Sequence, residues 1–294
     1  MIHRRTAIAF LAVSAVSALS ATVGCARKSG ESKGGGAPSS KISVKGSDTM
    51  VILGQRWAEE YMKQNPASTI QIAGGGSGTG IAALINGSTD VCQASRPLKP
   101  KEQGEVKAKR GHEAVETRVA LDALAVYVNA ASPITAISLP DLAKIYLGET
   151  TNWKDLGGVD HAIILYGREN NSGTYAYFKE HVLSNKDFAA ATQTLAGTSA
   201  VANAVKGDAF GIGYGGIAYL EGVRALGVKK DATSPTVMPS LATAQDGSYP
   251  LGRYLFFVTA GQPQGLAKAF QEWVLSPPGQ AVIESTGYYP LPKT

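Results

Sequence analysis

The stretch TIQIAGGGSGTGIAALINGSTDVCQASR, residues 69–96, sets the architecture. Ile70 and Ile72 alternate with polar neighbours, the period of a strand. A glycine-rich loop follows, then GIAALING reads as a short helix closed by Gly87. DVCQASRP reads as another short strand, ending at Ser95-Arg96. Upstream the same grammar repeats. KISVKGS alternates Ile42 and Val44 with polar residues as a strand, and GSDTM at 46–50 is its loop. Leu53, Trp57 and Tyr61 then recur at helical spacing until Asn65-Pro66 stops the helix. This βαβαβ order predicts a mostly parallel sheet with helices on its faces, in which ligands gather at the C-terminal ends of strands.

Downstream, LDALAVYVN at 121–129 is a longer apolar strand, after which a second unit begins. SLPDLAKIYLGE predicts a helix with Ser138 as N-cap and Pro140 in its first turn. AIILYGR is a strand that delivers Arg168, and SGTYAYFKEHVL a helix with Tyr175, Phe178 and Val182 on one face. FGIGYGGIAYL at 210–220 reads as strand, turn and helix. YLFFVTA at 254–260 is a second long apolar strand, and LAKAFQEWVL and GQAVIEST are closing helices. No solenoid-type repeat is present. Two units joined by two long strands predict an α/β protein of two lobes with a ligand cleft between them. One lobe takes residues 42–122 and 255–294, the other residues 123–254.

The first 25 residues read as a secretory signal. MIHRR is its positive start, and the Ala/Ser-rich apolar run ends at Cys25. Thr22-Val23-Gly24-Cys25 resembles a bacterial lipobox, with Thr22 where leucine is usual, so Cys25 is expected to carry lipid. Residues 26–41, beginning ARKSGESKGGGAPSS, have the composition of a flexible tether. Cys92 then has no intrachain partner and is expected to be a small core residue, leaving the fold to its apolar core rather than to disulfides. Removing Arg4 and Arg5 with the signal changes the formal charge from +5 to +3, 26 basic against 23 acidic residues. That balance helps attract anions. It contains no basic run interleaved with aromatics, so nucleic acid is not an expected partner.

Three loops dominate the chemistry: GSDTM, GGGSGTGI at 74–81 and RENNSGTY at 168–175. Each follows a strand and runs into a helix, which points backbone N–H groups and hydroxyls at one spot before the positive end of the helix. One such loop is ordinary capping; three, with an arginine in the third, favour an oxyanion site. Arg168 can grip two anion oxygens through its planar fork, and Ser172, Gly173 and Thr174 can take others. GGGSGTGI is no Walker loop, because Ile81 stands where lysine is needed, and no nucleophile elbow, because Thr79 stands in place of its closing glycine. It remains a backbone cradle about Gly78 with Ser77 and Thr79 as hydroxyl donors. Asp48, whose plain reading is an N-cap, becomes useful if the anion carries a proton to donate, with Glu169 a weaker candidate. Ser95-Arg96 could supply a second guanidinium, and Arg96 could also, or instead, pair with Asp48 or Asp90. His112, His161 and His181 lie in polar stretches with no orienting pattern, and no spacing suggests a metal site or a cofactor.

The segments GSDTM, GGGSGTGI followed by AALINGSTDVCQASR, LDALAVYVN, TNWKDLGG, GRENNSGTYAYF, FGIGYGG, SYPLGRYLFF and GQAVIESTGYYPLP occur in order between about residues 42 and 292. Together they resemble the phosphate-binding components of bacterial high-affinity phosphate ABC importers. The resemblance implies a type II periplasmic binding protein fold with two crossover strands and phosphate held between the lobes. It implies that Arg168, Ser172, Gly173 and Thr174 are the anion clamp, that Ser77 contacts phosphate, and that the loop holding Ser47 and Thr49 adds a hydroxyl and N–H groups. Some members place a proton-accepting aspartate after Ala-Ser in the third strand; this chain has Arg96 there, like another branch, which leaves Asp48 as the substitute. The implied protein is a monomeric, extracytoplasmic binder that hands phosphate to a membrane permease, not an enzyme. Other readings are a binder of sulfate, molybdate or arsenate, a secreted phosphatase using Ser172 or Ser77, and a signalling or adhesive lipoprotein.

Overall fold

Ile42 and Val44 point into the core from β1 (Lys41–Gly46), as their alternation with polar residues requires. The computed structural model describes residues 41–292. The expected signal and Cys25 lie outside the described residues, as does the tether except Lys41, which already belongs to β1. The chain then runs through α1 (Val51–Gln64), β2 (Thr69–Ala73), α2 (Ser77–Asn86), β3 (Val91–Ala94), α3 (Pro100–Arg110) and the long β4 (Ala114–Asn129). Next come β5 (Ala136–Ser138), α4 (Leu139–Leu147), β6 (Ile164–Arg168), α5 (Gly173–His181), β7 (Gln193–Leu195) and α6 (Thr198–Gly207). The remainder is β8 (Gly211–Gly216), β9 (Val223–Ala225), β10 (Gly227–Lys229), α7 (Leu241–Gln245), β11 (Gly252–Ala260), α8 (Gly265–Leu275) and α9 (Pro277–Ser285).

The main sheet has the order β2-β1-β3-β11-β4-β8-β6-β7, with β9 also on β4. A mostly parallel sheet was the expectation; the sheet is mixed. β1 pairs in parallel with β2 and β3, and β6 in parallel with β7 and β8. Between these blocks, β11 runs antiparallel to β3 and to the first part of β4, while the later part of β4 runs antiparallel to β8. The two apolar strands therefore sit at the centre, with one parallel block on each side. β4 begins at Ala114, upstream of the apolar run from which it was predicted. Its polar first half is held by its partner strand, with Ala114 opposite Ala260 and the Arg118 guanidinium 4.1 Å above the Tyr254 ring.

Helix signals translate directly. Leu53, Trp57 and Tyr61 of α1 are buried, and the Trp57 ring meets Phe257 edge-on while its N–H donates to the Gly279 carbonyl at 2.8 Å. Gly87 ends α2 in the left-handed conformation, φ +73°. Ser138 caps α4, accepting from Asp141 N–H at 3.1 Å, with Pro140 in the first turn. Phe178 and Val182 of the α5 region are buried, and Phe178 stacks on Tyr214 at 4.0 Å. Cys92 is fully buried, as expected, and burial pushes its thiol far above the usual range. The strand-turn-helix reading of 210–220 is corrected in its last part: β8 is followed by a single 3-10 turn, Ile217–Tyr219. Ile217 N–H donates to the Asp122 carboxylate at 3.0 Å. Helix α3 carries no apolar stripe and only Val106 of it is buried, which is why its periodicity gave no signal.

Candidate anion-binding site

Strands β1 and β3 are parallel neighbours and β2 flanks β1, so the loops leaving their C-terminal ends share one edge of the sheet. Ser47 N–H donates to the Gln93 carbonyl at 2.8 Å, and a 3-10 turn, Asp48–Met50, leads into α1. This fixes Ser47 and Thr49 inward, and both are buried. Tyr219 and Tyr288 clamp the turn from the far end of the chain, donating to the carbonyls of Asp48 at 2.9 Å and Thr49 at 2.5 Å. In the second loop Gly76 has φ +88°, and a side chain there would meet the Asn171 carbonyl at 2.7 Å. Ser77 opens α2 fully buried, accepting from Ser95 N–H at 3.1 Å. Ser47 Oγ donates to Ser95 Oγ at 2.9 Å, and Ser77 Oγ lies 3.3 Å from it. Three hydroxyls from three separate segments thus meet.

Arg168 ends β6 and is almost completely buried. Its Nη2 donates to Asp48 Oδ2 and its Nη1 to Thr198 Oγ1, both at 2.7 Å. Its Nε is buried and has no hydrogen-bond partner among the described residues. Burial lowers the affinity of this guanidinium for its proton, and the Asp48 carboxylate opposes that shift. Asp48 Oδ1 meanwhile accepts Gly75 N–H at 2.7 Å. Ser172 caps α5, its Oγ accepting from Tyr175 N–H at 3.3 Å. Gly173 approaches the serine trio so closely that a Cβ would collide with Ser77 Oγ and lie 2.6 Å from Ser95 Oγ. Thr174 Oγ1 is 2.8 Å from Thr49 Oγ1 and accepts from Arg253 Nη2 at 3.0 Å.

Of the residues expected from sequence, Ser47, Asp48, Thr49, Ser77, Ser95, Arg168, Gly173 and Thr174 converge here. Ser172 sits at the same helix start, with its hydroxyl used as a cap. Gly78 and Thr79 hold the second and third loops together: Gly78 N–H donates to the Asn171 carbonyl at 2.8 Å, and Asn171 Nδ2 donates to Thr79 Oγ1 at 3.2 Å. Arg96 is corrected. Its guanidinium is spent on Glu102, with bonds of 2.8 and 2.7 Å, rather than on Asp48 or Asp90. Asp90 instead accepts from Ser43 N–H at 2.7 Å. The cause is α3: Glu102 in its first turn folds back onto Lys99 N–H and Arg96 together.

Thr198, Asn171, Arg253 and Asp122 escaped the sequence reading. Thr198 carried a signal, since Gly197 (φ +80°) and Thr198 open α6 as Gly76 and Ser77 open α2. Arg253 and Asp122 carried another, as single charges entering apolar strands. Among the described residues no cluster of His, Cys, Asp and Glu could hold a metal ion. What the arrangement offers is a buried set of hydroxyls, helix starts and the Arg168 guanidinium, which can replace the hydration shell of a small oxyanion.

The model of the PBP superfamily domain matches residues 31–278. The phosphate-binding protein PstS of Pseudomonas aeruginosa is 33% identical over 271 residues, covering 86% of this chain and 84% of that one. The chain belongs to the PstS-like phosphate-binding proteins of the PBP superfamily. This PstS-like chain is also similar to a Clostridium perfringens protein crystallised with bound phosphate, with 26% identity, a TM-score of 0.78 and coverage of 86% and 100% of the two chains. An ABC-type phosphate transport receptor from Vibrio cholerae matches at 26% identity and a TM-score of 0.68, over 84% and 99%. The mixed α/β sheet of the PstS-like chain is thus that of solved phosphate-binding proteins.

Proposed function

We propose that this protein captures inorganic phosphate outside the cytoplasm and delivers it to an ABC-type importer. One observation carries the reading: buried hydroxyls from separate loops converge with Arg168, whose Nε still has a hydrogen bond to give. Phosphate offers acceptor oxygens to that set. Thr49, Ser77, Ser95, Arg168, Ser172, Gly173 and Thr174 bind it, with Ser47 and Thr198 orienting Ser95 and Arg168. Asp48 holds Arg168 in place, and a remaining carboxylate lone pair accepts the proton of hydrogen phosphate. The protein binds rather than catalyses, in keeping with relatives named as phosphate-binding proteins.

In this reading the chain folds as the two lobes anticipated from sequence, residues 42–122 with 255–294 and residues 123–254, with β4 and β11 as crossovers. On that division the Asn171 bonds to the second loop latch the lobes over phosphate. If about ten donors each contribute roughly 1.5–3 kcal/mol, the gross gain far exceeds the roughly −8 kcal/mol of a micromolar complex. The excess offsets anion dehydration and lobe closure, and the closed form is what a permease recognises. Lipid at Cys25 would tether the monomer to the outer face of the membrane through the 26–41 segment.

Calorimetric titration with phosphate and with sulfate near neutral pH tests the proposal. Phosphate is expected to bind at micromolar concentration or below and sulfate far more weakly. Equal affinities would leave a general oxyanion binder, and heat from neither would reject the site.

A further inference from the structure

On β11 and β4, Arg253 and Asp122 are directly opposed partners in register. Arg253 donates to Asp122 Oδ2 through Nε at 2.9 Å and Nη2 at 2.7 Å, and Asp122 Oδ1 accepts from Ile217 N–H at 3.0 Å. The pair is sealed from solvent, with side-chain exposures of 3% and 0%. The Tyr177 ring lies 5.3 Å from the guanidinium carbon and is itself anchored through its hydroxyl to the Gly252 carbonyl at 2.9 Å. An ion pair this deep does not explain itself by stability, because an apolar pair of similar volume would serve as well. Its reach does. The same Nη2 donates to Thr174 Oγ1 at 3.0 Å.

We propose that Arg253, locked by Asp122, is a positioning residue that sets the polarity of the Thr174 hydroxyl. The inference rests on the phosphate reading given above. A guanidinium has no acceptor, so the Thr174 oxygen must accept from it. The Thr174 proton is then left to give away, to Thr49 Oγ1 at 2.8 Å or to an oxygen of bound phosphate. Thr49 can fill the second lone pair of Thr174 Oγ1 and leave that proton entirely to the ligand. Asp122 neutralises the guanidinium, so Arg253 supplies orientation rather than a second full charge in the site. The consequence is selectivity for protonation state: the phosphate oxygen facing Thr174 must accept its hydrogen bond, which a bare, charged oxygen does better than a hydroxyl, and any proton on the ligand points to another group.

A double-mutant cycle tests this. Arg253→Lys, Thr174→Val and the combined variant are titrated with phosphate at about pH 5.5 and about pH 8, with melting temperatures recorded for each. Arg253→Lys is expected to weaken binding about tenfold at the higher pH, and by less than about twofold once Thr174 is valine, the non-additivity of groups acting through one atom. At the lower pH its loss shrinks, because the shorter lysine stays on Asp122 without reaching Thr174, and the freed hydroxyl can accept from a protonated oxygen. If Arg253→Lys proves unstable, the charge-free pair Asp122→Leu with Arg253→Met replaces it, and Thr174→Ser should restore what Thr174→Val loses. Additive effects, or a loss independent of pH, overturn the positioning role while leaving the phosphate site standing. Failure of the unaltered protein to bind phosphate overturns both.

Discussion

Arg168 and Asp48 stand 120 positions apart in the chain and meet at 2.7 Å, the guanidinium 1% and the carboxylate 16% exposed. The pair joins the strand end of β6 to the turn after β1, and Asp48 extends the link to Gly75 of the glycine loop. A charge buried this deeply is tolerated only with partners. Asp48 and Thr198 take one terminal nitrogen each, which fixes the plane of the fork.

Removing the guanidinium should therefore be severe. Arg168→Ala is expected to weaken phosphate binding by about 3–5 kcal/mol. Arg168→Lys should not restore it, since an ammonium cannot hold Asp48, Thr198 and the ligand in one plane. Calorimetry on both variants checks this, and affinity unchanged in Arg168→Ala would remove the residue from the site.

Asp48→Asn separates orientation from proton acceptance. If the carboxylate takes the proton of hydrogen phosphate, the preference for phosphate over sulfate should fall by about tenfold or more, as a donor amide no longer penalises an unprotonated oxyanion. Competition of sulfate against phosphate reads the ratio. A preserved ratio with weaker phosphate binding would confine Asp48 to steering Arg168.

Gly173→Ala probes the closest approach in the site. Its Cβ would strike Ser77 Oγ and lie 2.6 Å from Ser95 Oγ. Overpacking of this kind costs about 1–3 kcal/mol, and here it also pushes the third loop off the serine trio. A lowered melting temperature together with loss of phosphate binding is expected; wild-type values for both would show that the loops do not close so tightly.

Alkaline pH should undo the fold before neutral pH does. Burial raises the Cys92 thiol and the phenols of Tyr127, Tyr146, Tyr214 and Tyr288 above their ordinary values. Each group is neutral when folded, so its contribution is complete below the unfolded pKa and is lost as pH rises beyond it. The unfolded values are about 8.5 for cysteine and 10 for tyrosine. Thermal melts should hold steady to about pH 8.5 and fall progressively above it, and a flat profile to pH 11 would contradict the burial of these groups.

Local chemistry made the strand and helix starts legible. The alternation of Ile42 and Val44, the Leu53-Trp57-Tyr61 stripe, the Ser138 cap and the Gly87 stop are each decided by near neighbours in the chain. For the same reason the three strand-loop-helix sites could be read, and with them most of the converging hydroxyls and Arg168. What depends on distant partners could not. The first half of β4 is a strand because β11 lies beside it, and the sheet is mixed because those two strands enter antiparallel between two parallel blocks.

Arg96 shows the limit most clearly: offered by sequence to the anion, or to Asp48 or Asp90 as an ion pair, it was claimed by Glu102 from a helix without an apolar stripe. Sequence by itself determined the donors, since a Gly/Ser/Thr turn before a helix presents N–H and hydroxyl groups wherever it lies. Only tertiary structure decided which donors meet, which charge each arginine answers, and that Arg253 and Asp122 stand behind Thr174. Those choices come from burial, where an unpaired charge is costly and the partner is whichever residue the fold brings within reach.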